Sequence, residues 1–191
     1  MIHTIPEPAL TLLGRLLEGS GHRFSVVIVG GAALLLRGLI TRATVDVDVI
    51  AMASSDEAAE LRPPDEPLPE PLKRAVAVVA AELELPGDWL NTEVKAQWRT
   101  GLPEGMVQRL EWREFGGLRV GIAGRKDLIA MKLYAAADGT PTGKHFQDLL
   151  AIAPTDGELD SVEPWVLSQD ASEIFATTVT EVVRSVRAHR S

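Results

Sequence analysis

Leu10, Leu12, Leu13, Leu16 and Leu17 recur at mixed three- and four-residue spacing between Ala9 and Glu18, behind two prolines, and predict a first helix ending near the glycines at 19–21. The next run, 24–29, is continuous, rich in valine and bounded by Gly30-Gly31, which predicts a buried strand. Residues 32–37 are apolar but free of β-branching, so the chain is expected to turn at the glycines straight into a short helix. From Thr44 the period changes to two. Val45, Val47 and Val49 share one face and Asp46 and Asp48 the other, predicting a half-buried strand over 45–51 whose polar face carries only carboxylates.

Periodicity then fades, and residues 54–71 hold five of the 12 prolines, Pro63, Pro64, Pro67, Pro69 and Pro71, the mark of an exposed loop that serves as a lid or a connector. Helical spacing returns over 72–83. Trp89-Leu90-Asn91-Thr92-Glu93 reads as the start of a further short helix capped by Asn91 or Thr92. Two runs at 106–115 and 118–122, split by Gly116-Gly117, predict a hairpin. Helices are predicted over 125–137, 144–153, 158–167 and 171–187, with a break at 138–143 (Asp-Gly-Thr-Pro-Thr-Gly). The basic end of the last one, at Arg184, Arg187 and Arg190, suits a helix C-terminus. The predicted fold is α/β (α+β): a small mixed sheet of 24–29, 45–51 and the 106–122 hairpin, flanked by helices and followed by a helical C-terminal part. The division expected is a domain over 1–153 with a helical extension over 154–191.

Composition narrows the chemistry. At 191 residues with 46% hydrophobic and 24% charged, the chain can bury a core unaided. It contains no cysteine, which excludes thiol catalysis and cysteine-based zinc sites. The longest run free of charge, 24–36, contains two glycines and is far short of the roughly 20 residues a membrane span needs. No basic region precedes an apolar stretch at the start, so a cytoplasmic location is expected. A net charge of -8 opposes unspecific attraction to a polyanion, so contact with nucleic acid would have to be local.

Two aspartates two positions apart on a strand point the same way, with Cβ atoms roughly 6 to 7 Å apart, and can reach one or two hard cations. Paired carboxylates of this kind hold Mg²⁺ against triphosphate oxygens in phosphoryl chemistry. The glycines at the preceding strand-to-helix turn let backbone N–H groups approach a phosphate closely. The competing reading makes Asp46 and Asp48 the wet face of an edge strand and Gly30-Gly31 a plain tight turn. Lys132 shares a helical face with Leu128, Met131 and Ala135, where a cation calls for a partner or a polyanionic ligand; the alternatives are a snorkelling lysine or a structural Lys132–Asp148 ion pair. Lys144 and Asp148, four apart, suit a surface pair. Arg37 and Arg42 flank the aspartate strand as phosphate contacts or counter-ions. His3, His22, His145 and His189 show no metal-ligand spacing and read as surface residues. Neither a dinucleotide-binding Gly-x-Gly-x-x-Gly nor a P-loop is present. Trp98 and Trp112 are expected to pack in the core or a loop rather than line a cleft.

The order of apolar strand, Gly-Gly, helix and then Arg42-x-Thr44-x-Asp46-x-Asp48 resembles the nucleotidyltransferase superfamily built on the DNA polymerase beta palm. Asp127-Leu128-Ile129-Ala130-Met131-Lys132-Leu133 and Lys144-x-x-x-Asp148-Leu149-Leu150 resemble the second region of AbiEii/MenT-type and related uncharacterised bacterial members, and Trp89-Leu90-Asn91 is similar to a branch of them. The resemblance implies that Gly30 and Gly31 position a nucleotide, with Arg42 and Thr44 beside them. It makes Asp46 and Asp48 ligands of Mg²⁺ or Mn²⁺, Lys132 a phosphate-facing cation and Asp148 a supporting acid. The third metal carboxylate it implies has candidates in Glu111, Glu114 and Glu93. The activity implied is transfer of a nucleotidyl group from an NTP to an RNA end such as tRNA, a protein or a small molecule, with a toxin–antitoxin system and its cognate partner as one setting. Many active relatives carry Gly-Ser where this chain has Gly30-Gly31. The alternative is a catalytically silent member of the fold that acts as a binding or antitoxin-like protein.

Overall fold

The computed structural model describes residues 6–54, 60–139 and 143–189. Its elements are α1 (Pro6–Gly19), β1 (Phe24–Val29), α2 (Gly30–Leu36), β2 (Val47–Ala53), β3 (Leu61–Arg62), α3 (Glu70–Glu82), β4 (Leu90–Asn91), β5 (Glu111–Phe115), β6 (Leu118–Ile122), α4 (Arg125–Asp138), α5 (Lys144–Ile152), α6 (Asp156–Leu167) and α7 (Glu173–Ala188), with 3-10 turns at Glu93–Arg99 and Val107–Arg109. Part of the proline-rich loop, part of the break after α4, His3 and Arg190 lie outside the described residues. The mixed α/β architecture with a small mixed sheet and a helical C-terminal part is the one the pattern predicts. Two units divide the chain, one of residues up to 99 with 105–123, the other of 100–104 with residues from 124 onward.

The first unit is built on a mixed sheet of order β3-β2-β1-β6-β5, with β4 also paired to β2. Central β1 runs parallel to β6 and antiparallel to β2, which is why Val26 to Val29 are all buried and the run shows no alternation. The register of β1 on β2 steps from Val27 opposite Ala51 to Ile28 opposite Val49, so Ile50 is an extra residue in β2. The indole of Trp98 donates to the Ile50 carbonyl at this irregularity. Two glycines, one inside α1 and one in the hairpin turn, fix α1 on the hairpin. A side chain on Gly14 would overlap the Phe115 carbonyl, and the Gly117 N–H donates to the Gly14 carbonyl at 2.9 Å.

Three expectations need correction. The aspartate strand begins at Val47 rather than Val45, and Val45 is 41% exposed instead of sharing the buried face of Val47 and Val49. The ladder starts where a partner exists: the Val47 N–H donates to the Trp89 carbonyl, and Val47 pairs with Leu90. Leu90–Asn91 is correspondingly a two-residue strand, and the short helix expected here follows it as the 3-10 turn at Glu93–Arg99, whose first N–H donates to the Asn91 side chain. Fully buried Trp89 anchors the strand by donating to the Val76 carbonyl of α3, and β2 offers the open edge. The first hairpin run is also shorter than expected, with only Glu111–Phe115 in the strand.

The second unit is helical, with Leu128, Leu133, Phe146, Leu149, Leu159, Val162, Val179 and Val186 among its buried residues. Thr155 and Glu158 form a reciprocal capping box at the start of α6, and Ser172 caps α7 by accepting from the Phe175 N–H. Glu158 also takes Arg125 of α4 through two hydrogen bonds, at 2.7 and 3.1 Å. Among the described residues no helix is long and apolar enough to cross a membrane.

Candidate functional site

Strand β1 ends at Val29 directly opposite Asp48, and α2 starts at the next residue with no loop between. That junction demands glycine twice over. Gly30 has φ +71°, a conformation costly for any residue with a Cβ, and a Cβ there would overlap Oδ2 of Asp48. The position a Cβ of Gly31 would take lies 3.1 Å from Oγ1 of Thr44 and 3.4 Å from Nη2 of Arg42. No side chain caps the first turn of α2. A carboxylate, a hydroxyl and an exposed guanidinium thus gather around the backbone of two glycines at a strand end.

Asp46 sits one residue before β2 and is half-buried. On the other side of β2, Asn91 of β4 is in register with Asp48, and its Nδ2 donates to Oδ1 of Asp48 at 3.4 Å. The opposite end of the same amide is also held: the Glu93 N–H donates to Oδ1 of Asn91 at 3.1 Å. The capping role expected of Asn91 is present in its contact to the Glu93 N–H, at the start of the 3-10 turn, and the contact to Asp48 is the one that sequence reading missed. The available signal was the Trp-Leu pair before Asn91, but two residues are too few to show a strand period.

Of the glutamate candidates, Glu93 follows Asn91 closely, while Glu111 and Glu114 fall elsewhere in the sheet. Glu111 lies on β5, separated from β2 by β1 and β6, which at ordinary strand spacing is about 14 Å. Its carboxylate is taken by Arg37 at 3.0 Å and Arg113 at 2.7 Å, and the Arg113 hydrogen bond, aided by the charge of Arg37, holds its pKa below the usual glutamate range. Arg37 also donates to the carbonyls of Ala123, Arg109 and Ile122, while Arg113 reaches the Leu36 carbonyl at the end of α2. These arginines staple α2 to the sheet rather than face a phosphate. Glu114 pairs with Arg119, whose guanidinium stacks 4.2 Å from the ring centroid of Trp112. That group borders a cleft of about 330 Å³ lined by Phe24, Ser25 and Gly117, at the opposite end of β1 from Asp48. Glu93 is exposed.

In the helical unit, Nζ of Lys132 lies 2.7 Å from Oδ2 of Asp148, with the two residues 5% and 1% exposed. The structural ion pair weighed for these residues is present. The surface pairing of Asp148 with Lys144 is not, since Asp148 is buried and Lys144 exposed. His145, read as a surface residue, is half-buried with Nδ1 3.4 Å from Nζ of Lys132. Helix α5 brings His145 and Asp148 to Lys132 because they are three residues apart on one face.

Among the described residues no group of three or more histidine, aspartate or glutamate side chains is placed to hold a metal ion. Mg²⁺ needs fewer. It keeps several waters and is commonly held by one or two carboxylates together with substrate phosphates. Asp48 against the glycine turn and Asp46 one residue before β2 are carboxylates of the type that would hold such an ion together with a substrate phosphate. Residues 10–141 match the model of a family described as "Nucleotidyltransferase of unknown function (DUF6036)". The match spans the Gly30-Gly31 turn, Asp46, Asp48, Asn91 and Lys132 and stops short of Asp148. Neither the curated proteins nor the solved structures contain a match to the chain.

Proposed function

Since the chain belongs to this nucleotidyltransferase family, whose model covers well over half of it, we propose that it transfers a nucleoside monophosphate from an NTP to a hydroxyl acceptor, with Asp46 and Asp48 as the ligands of Mg²⁺. The observation that carries this reading is the convergence of Asp48, Thr44 and Arg42 on the backbone of Gly30 and Gly31. The turn supplies a surface without side chains on which a triphosphate can lie close to the main chain. Arg42 offers its charge, and Thr44 its hydroxyl, to phosphate oxygens over Gly31. Mg²⁺, when bound, supplies charge that polarises the phosphate and activates the acceptor hydroxyl. In the reaction a bond forms between the acceptor oxygen and the α-phosphorus, the bond from that phosphorus to the β-phosphate oxygen breaks, pyrophosphate leaves, and the proton of the acceptor hydroxyl passes to solvent. Lys132 and Asp148 form a buried link between α4 and α5. The finer kinship with AbiEii/MenT-type proteins remains part of the proposal and rests on the runs 127–133 and 144–150.

A second reading has its own support. Asn91 faces Asp48 in the ladder, an amide and not an acid, which favours a member of the fold that binds nucleotide without turning it over. One experiment separates the two. Pure protein is incubated with each α-³²P NTP and Mg²⁺ or Mn²⁺, offering total tRNA, cell extract or the protein itself as acceptor, beside Asp46→Asn/Asp48→Asn. Label transferred by wild type alone supports the enzyme and reveals whether RNA, protein or a small molecule is modified. Metal-dependent nucleotide binding with no transfer to any acceptor supports the silent reading and redirects the search to a cognate toxin or antitoxin partner.

A further inference from the structure

The registers on either side of β6 place three different polar side chains in one row. Ser25 of β1 is level with Arg119 of β6, and Arg119 with Glu114 of β5, so a hydroxyl, a guanidinium and a carboxylate stand side by side on one face of the sheet. The next row on that face holds Val27, Gly121 and Trp112. A Cβ on Gly121 would come within 3.0 Å of the Trp112 ring, so glycine is what lets the indole lie across β6. The Arg119 guanidinium is stacked over that indole, 4.2 Å from its centroid. Ser25, Arg119 and Glu114 line the cleft of about 330 Å³ at the far end of β1 from Asp48, with Arg23 beside them.

Arg119 is held in place but not used up. Its side chain is only 24% exposed, yet among the described residues its Nη groups, which carry all but one of a guanidinium's N–H donors, make no hydrogen bond. The Ser25 hydroxyl beside it makes none either. Arg37 and Arg113, by contrast, donate to main-chain carbonyls. What Arg119 has is the ring of Trp112 behind it and the carboxylate of Glu114, 65% exposed, 3.3 Å from Nε. An exposed ion pair of this kind contributes little and gives way to a better-fitting acceptor. A guanidinium fork matches two oxygens of a phosphate or carboxylate, and a neighbouring hydroxyl adds a further contact. We propose that this cleft is a ligand site separate from the Gly30–Asp48 turn, in which Arg119 and Ser25 hold the phosphate or carboxylate group of a small molecule. The volume of the cleft suits a small ligand. Glu18 and Glu114 balance Arg23 and Arg119, so the local field does not draw a polyanion.

The test is a nuclear magnetic resonance titration of the ¹⁵N-labelled full chain with sodium phosphate and, separately, sodium acetate, against sodium chloride at matched ionic strength. The reporters are the Nε–H of Arg119 and the indole N–H of Trp112, identified by their loss from the spectra of Arg119→Lys and Trp112→Phe. In wild type both signals are expected to shift to saturation with phosphate or with acetate and not with chloride, and the anion that does so identifies the group the site takes. Arg119→Lys keeps the charge and loses the fork, so the Trp112 signal should need about tenfold more anion, the scale of one hydrogen bond between charged groups. Ser25→Ala should weaken binding several-fold. Glu114→Gln removes the resident carboxylate and should tighten binding several-fold, a gain that a merely structural Arg119 could not produce. Unmoved indole signals of Trp89, Trp98 and Trp165 verify that each variant is folded. Shifts no different from those in chloride, or an affinity left unaltered by all three variants, overturn the proposal. Nucleotide transfer has no part in this readout, so neither result bears on the reading of the Gly30–Asp48 turn.

Discussion

Replacing Lys132 by methionine keeps the length of the side chain and removes its charge. In the native unit, Nζ of Lys132 and Oδ2 of Asp148 are 2.7 Å apart, and neither residue is more than a twentieth exposed. The variant would take away the cation 2.7 Å from the buried Asp148 carboxylate. Breaking a buried pair from one side costs about 3 to 5 kcal/mol, because the remaining charge keeps its desolvation penalty and loses its attraction. At a urea slope of about 2 kcal/mol/M, the unfolding midpoint should fall by about 2 M. The double variant Lys132→Met/Asp148→Leu leaves no orphaned charge. Apolar replacements of whole buried pairs are often neutral or better, so it should recover most of the loss. Urea unfolding followed by circular dichroism of wild type, both single variants and the double variant measures this, and label transfer by the double variant adds a functional reading. If the single variants lose less than about 1 kcal/mol, or if the double is as unstable as the singles, the buried pair is not what links α4 and α5.

Other outcomes follow from the same geometry. Gly30→Ala forces a Cβ into Oδ2 of Asp48 at φ +71°, where an ordinary side chain costs about 1 to 2 kcal/mol; the chain should still fold, while metal-dependent nucleotide transfer falls by about a hundredfold or more. Transfer by Gly30→Ala at the wild-type rate would show that the close approach at this turn is unnecessary. The Arg125 guanidinium, followed by the capping-box N–H of Thr155, holds the Glu158 carboxyl down to about 2 from its ordinary value near 4.5. The charged form is the one favoured by folding, so its contribution is complete above pH about 4.5 and is lost as the pH falls toward 2. Because both side chains are about a third exposed, solvent screening limits that contribution to about 1 kcal/mol. Wild type should accordingly exceed Glu158→Gln in urea stability at pH 7 and match it near pH 2; a gap that persists at pH 2 would mean that the salt bridge to Arg125 is not its source.

The order strand, Gly-Gly, helix and paired aspartates was legible from residues alone, because each signal is local. The valine run of β1, the leucine spacing of α1 and the glycine turn act through neighbours two to four positions away, and those neighbours are written in the chain. The need for glycine at position 30 was legible in the same way, and the structure supplied its second reason, the Asp48 carboxylate against its Cα. Nonlocal partners were not legible. Val45 continues the alternation of Val47 and Val49 but lies before the ladder, since a strand begins where another strand meets it. Leu90–Asn91 carries no period of its own and becomes a strand only because Trp89 is buried beneath α3 beside the open edge of β2. Glu111 had the right charge for the site, yet its oppositely charged partner Arg37 comes from a distant position and occupies it elsewhere in the sheet, and Lys132 is paired with Asp148, sixteen residues along the chain. Local pattern thus determined which elements form and which residue types line the turn. Tertiary packing decided which charges are spent on holding the fold, because a salt bridge depends on distance in space, and sequence periodicity reports distance along one element only.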